Sequence, residues 1–130
     1  MQPVLRQRVP SGVCGVNDEQ TTVARLKQIV ADFVAERDWQ QFHDPKNLSM
    51  AIAIEAAELM EHFQWLRSDQ LDQARSPEQL DEIREEMANV TAFLLSLANV
   101  LEIDLSDAVE RKMVKNAAKY PAEEFRGRFG

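Results

Sequence analysis

Apolar positions along this chain recur at helical spacing in four blocks. Val23, Leu26, Ile29, Val30, Phe33 and Val34 share a face and predict a first helix from Asn17 or Asp18, either of which can cap it, to about Arg37. The second block, LSMAIAIEAAELMEHFQWL from Leu48 to Leu66, predicts a helix with Asn47 or Ser49 near its start and Trp65 or Leu66 at its end. A third helix opens at Ser76, with Pro77 in its first position and Gln79 completing a capping box, and runs to about Leu101. The fourth starts at Asp104-Leu105-Ser106-Asp107 and continues to about Ala118, and Pro121 stops it. Asp44-Pro45 reads as a turn and RSDQLDQARSPEQLD as a polar linker. No stretch alternates as a strand would. The expectation is therefore an all-α four-helix bundle over residues 18–121, with an irregular arm at 1–17 and a flexible tail at 122–130.

With 130 residues and 45% hydrophobic content, the chain makes one domain whose apolar helical faces call for homo-oligomerisation. Glu55 and Glu58 interrupt the longest apolar run, which falls short of the roughly 18–20 residues of a membrane span. No apolar core of a signal peptide follows Met1–Pro10, so a cytoplasmic location and no membrane partner are expected. Cys14 is the sole cysteine, which excludes an intrachain disulfide and a CxxC site. A net charge of −7 argues against nucleic acid, whose backbone needs a basic surface. A small phosphate ester remains possible if metal ions supply the positive charge.

The chemistry concentrates in the second and third helices. Glu55 and Glu58 stand at i, i+3 in an almost wholly apolar stretch, with His62 a turn further along the same stripe. Two like charges on a face of that kind need a positive partner. On the third helix Glu82, Glu86, Asn89 and Phe93 share a face at i, i+4, i+7, i+11. Antiparallel packing of the two helices would set Glu55 and Glu58 opposite Glu86 and Asn89. Three carboxylates and a carboxamide suit a hard cation, magnesium first and manganese second. Arginines from another subunit are the alternative partner.

Ahead of the carboxylate helix lie Trp39, Phe42 and His43, which can stack on a heterocyclic base or simply fasten the loop to the bundle. Lys112, Lys115, Asn116 and Lys119 share one side of the fourth helix, a face for outer phosphates or a solvated surface. A glycine-rich phosphate loop, a serine-based triad and a di-iron bundle all lack their residues here.

Glu55-x-x-Glu58 with Glu86-x-x-Asn89 resembles the ExxE and ExxD pair of the MazG-like all-α nucleoside triphosphate pyrophosphohydrolases. FVAERDWQQFHDPKNL, EAAELMEHFQW and KMVKNAAKYP are similar to segments of the dCTP pyrophosphatase subgroup, so the likeness covers roughly residues 22–121. It implies a MazG-like bundle, completed as a homodimer or homotetramer, that hydrolyses a nucleoside triphosphate between its α and β phosphorus atoms. The resemblance puts Mg²⁺ on Glu55, Glu58, Glu86 and Asn89, the base against Trp39, His43, Trp65 and Phe93, and the nucleotide against Lys112 and Asn116, with Tyr120-Pro121 closing the motif. Three departures stand out: Asn89 where the family has Asp, Phe93 where the subgroup has Tyr, and Val30 where it has His.

The expected activity is Mg²⁺-dependent conversion of dCTP, or a modified dCTP, to the monophosphate and pyrophosphate, a house-cleaning role. Glu55 or Glu58 would take the proton of the attacking water. The alternatives are a dNTP-binding sensor without turnover and a helical assembly module.

Overall fold

Side-chain caps set where the helices begin. The structure, a computed structural model, describes residues 15–128, so Cys14 and most of the expected arm lie outside the described residues. Helix α1, Val23–Glu36, is capped by Thr22, whose hydroxyl accepts from the Arg25 N–H at 3.1 Å. It starts later than Asn17 or Asp18 because Asn17 closes a turn of its own, its Oδ1 accepting from the Gln20 N–H at 2.9 Å. A single 3₁₀ turn, Gln40–Phe42, leads to α2, Pro45–Glu61. Its cap is Asp44, whose carboxylate accepts from the Asn47 N–H at 2.8 Å, with Pro45 in the first turn. The Asp44-Pro45 turn is thus also the helix start, ahead of Asn47 and Ser49. α2 ends at Glu61 rather than at Trp65 or Leu66, and residues 62–65 turn away.

The polar linker coils into 3₁₀ turns over Ser68–Arg75 and buries Ala74. α3, Pro77–Leu101, begins at Ser76 as expected. The Ser76 hydroxyl accepts from the Gln79 N–H at 3.3 Å and donates to the Gln79 side-chain oxygen at 3.0 Å. α3 stops at Glu102, which takes a left-handed φ of 54°. α4, Leu105–Lys119, is capped by Asp104, and α5, Ala122–Phe125, is one turn in the segment expected as tail.

α2 packs along α3, and α1 lies on α3 as well. Three cross-helix approaches fix the direction of the α2–α3 pair: Glu55 to Asn89, Glu58 to Glu86 and His62 to Glu82. Residue numbers rise on one helix as they fall on the other, so the two run antiparallel. Val34 of α1, Leu48 of α2 and Ile83, Leu95 and Ala98 of α3 are buried, and Leu48, 2% exposed, is the most deeply buried large side chain. α4 bends 101° away from α3 and exposes Val109, Met113 and Val114. Among the described residues no single helix is long and apolar enough to cross a membrane.

Candidate metal and nucleotide site

Where α2 and α3 face each other, one carboxylate oxygen from each of Glu55, Glu58 and Glu86 lies within 4.8 Å of the other two. Glu55 and Glu58 point the same way because they sit one turn apart, and the antiparallel register brings Glu86 up between them. Asn89 joins the group: its Nδ2 donates to Glu55 Oε2 at 3.4 Å. Glu55 and Glu86 are half-buried, while Glu58 and Asn89 are exposed.

Burial, above all, raises the Glu86 carboxyl above its ordinary value, helped by its hydrogen bond to Glu55 and by the negative charges of Glu58 and Glu55. One of its oxygens, Oε2, is shut off from solvent without a hydrogen-bond partner among the described residues. Carboxylates gathered this way repel, and a proton or a cation relieves them. Among the described residues no arginine or lysine pairs with the cluster, and the arginines that form ion pairs take other carboxylates. Three carboxylate oxygens and an amide form a hard donor set of the type that magnesium or manganese takes, and the cluster can hold such an ion. His62 stands apart, its Nδ1 4.0 Å from Glu82.

Further along α3 the Phe93 ring meets the His43 ring at 6.4 Å, tilted by 45°. Beyond them a cleft of about 330 Å³ opens between α1, the 3₁₀ turn and α3, with Gln28, Asp32, Gln40, His43, Ser96 and Asn99 as its polar lining. Sequence reasoning missed all of these except His43. Ser96 and Asn99 were legible as polar interruptions in an apolar run that extend the face of Glu86, Asn89 and Phe93.

Other expected site residues are not gathered here. Trp39 packs edge-on against Phe33, centroids 5.8 Å apart, and stays 42% exposed. Trp65 is 84% exposed past the end of α2. Lys112 and Asn116 lie on α4. The helical rise puts the end of α3 about 22 Å along its axis from Glu86, and α4 leaves at 101°, so this chain does not bring them to its own carboxylates.

Residues 50–128 match the model of the MazG-like family. A bovine protein named dCTP pyrophosphatase 1 is 38% identical over 109 residues, 83% of this chain and 64% of that protein. Its rat counterpart is 36% identical, over 90% of this chain and 77% of its own length. The chain thus spans somewhat less than two thirds of the bovine relative. Among solved structures, a pyrophosphatase from Archaeoglobus fulgidus is 40% identical and superposes with a TM-score of 0.71, covering 82% of this chain and 99% of that one.

Proposed function

The chain belongs to the MazG-like family, and on that premise we propose that it hydrolyses dCTP, or a modified dCTP, to the monophosphate and pyrophosphate with a divalent cation. The relatives named for dCTP support the substrate, and the house-cleaning of nucleotide pools follows from it. The observation that carries the proposal is the convergence of Glu55, Glu58 and Glu86 within 4.8 Å, with no arginine or lysine of the described residues paired to them.

Those three carboxylates and the Asn89 side chain would hold Mg²⁺. When bound, the ion neutralises the phosphate oxygens so that charge can shift from the attacked phosphorus to the pyrophosphate leaving group. Glu58, exposed beside the cluster, accepts the proton of the attacking water, with Glu55 as the alternative base. Phe93 and His43 wall the space between the carboxylates and the cleft, and hold the base and sugar. Lys112 and Asn116, and Trp65 likewise, contribute to a site only across a homodimer or homotetramer, for which the exposed apolar residues of α4 supply a surface, while Trp39, next to Gln40 of the cleft, would meet the base from the same chain.

A panel of dNTPs assayed for Mg²⁺-dependent pyrophosphate release tests the proposal. Turnover of dCTP that disappears in Glu58→Gln supports it. Asn89 favours one rival: with an amide where a fourth carboxylate could stand, the protein would bind dNTPs without turning them over. Binding of dCTP with no turnover, and turnover appearing in Asn89→Asp, would establish that sensor instead. Absence of nucleotide binding refutes both.

A further inference from the structure

Resting on that reading, we infer that the cleft between α1 and α3 selects bases bearing an exocyclic amine, through the acceptor oxygens of Asp32 and Asn99. Both residues line the cleft, Asp32 from α1 and Asn99 from α3. Asn99 donates from Nδ2 to the Lys27 carbonyl at 3.1 Å, a half-buried bond that fixes which way the amide faces. Its Oδ1 therefore remains to accept. The next residue after Lys27, Gln28, donates from Nε2 to Asp32 Oδ1 one turn on at 2.7 Å, holding that carboxylate in place and leaving Oδ2 without a donor among the described residues. An ionised carboxylate only accepts hydrogen bonds.

A 4-amino or 6-amino base puts N–H donors against this wall. A 4-keto base puts an oxygen against a carboxylate, which repels it and leaves both unpaired. His43 lines the same cleft and offers its ring edge to a base there. The cleft is of a size for a nucleoside. Glu86 and Ser96 lie on one continuous helix, so a nucleotide along that face would have its base in the cleft and its phosphates towards the carboxylates.

The test compares dCTP, dATP, dUTP and dTTP with wild type and Asp32→Asn, by kcat/KM for pyrophosphate release and by calorimetric binding of α,β-methylene dCTP and dUTP with Mg²⁺. Asp32→Asn keeps the shape and the exposed setting, so the fold should survive; it exchanges an acceptor for a donor. The amine-to-keto ratio should fall about tenfold, chiefly through KM, as dUTP improves while dCTP weakens. Asn99→Leu should weaken both bases and flatten the same ratio. A wild-type ratio near one, or a ratio that neither variant changes, overturns the inference while turnover leaves the proposed activity standing. If no dNTP is bound or hydrolysed, the proposed activity falls and this inference with it.

Discussion

Adding magnesium should raise the melting temperature of the protein, and replacing Glu86 with Gln should do so without magnesium. Three carboxylates meet within 4.8 Å, one Glu86 oxygen has neither water nor a partner, and burial and its neighbours raise the Glu86 carboxyl. The metal-free folded state thus carries repulsion that the unfolded chain does not. A cation that binds only the folded state adds about 2.7 kcal/mol at a hundredfold excess over its dissociation constant. At about 4 °C per kcal/mol for a domain of this size, the shift is about 10 °C. Glu86→Gln keeps the volume, removes one charge and can donate to Glu55 or Glu58. Scanned in EDTA, it should melt at or above the wild type; in magnesium it should gain less than half the wild-type shift. A wild-type melting point indifferent to both magnesium and manganese would refute the reasoning. So would a Glu86→Gln protein less stable than wild type in EDTA.

Acidity should act in the same direction. The Glu86 carboxyl is raised in the folded state, so its contribution to stability is fully present below the ordinary carboxylate value and is lost as pH rises through the raised one. In EDTA, stability should therefore increase as pH is lowered from neutral towards that range, and saturating magnesium should flatten the dependence; melting curves at several pH values check it. Leu48→Ala, at the most buried large side chain, should cost about 2 to 5 kcal/mol in denaturant titrations. Glu102→Gly, at a left-handed cap where a side chain is strained, should stabilise by about 1 kcal/mol in the same assay.

Much of this was legible because charge in an apolar helix is conspicuous. Glu55 and Glu58 stood out against Met50–Met60, and Ser76-Pro77 marked the start of α3. The same Asx/Ser-Pro logic at Asp44-Pro45 reads equally as a turn, since local sequence does not say whether the chain continues as helix. Asn17 and Thr22 are both competent caps, and only the competing Asn17 turn decides between them. Trp39 is ambiguous for a different reason. An aromatic ring serves a ligand or a neighbour equally well, and Trp39 meets Phe33 while staying 42% exposed. The cleft was invisible because its lining comes from helices far apart in sequence, with Asp32 an ordinary exposed residue on the first of them. The direction α4 takes depends on three residues after Leu101, for which hydrophobic spacing carries no information.

α3 runs from Pro77 to Leu101 without interruption, and it carries both Glu86 and Asn89 at one end of the proposed site and Ser96 and Asn99 at the other. On that reading the helix works as a gauge for ligand length. Its backbone ladder keeps the two ends at a set separation, so the base and the attacked phosphorus of a reacting molecule must span that same interval. The monophosphate product would still touch both ends, and what it loses is the outer phosphates. Release would then follow from the lost charge that the cation and the carboxylates had shared, with no hinge or flap required to expel it.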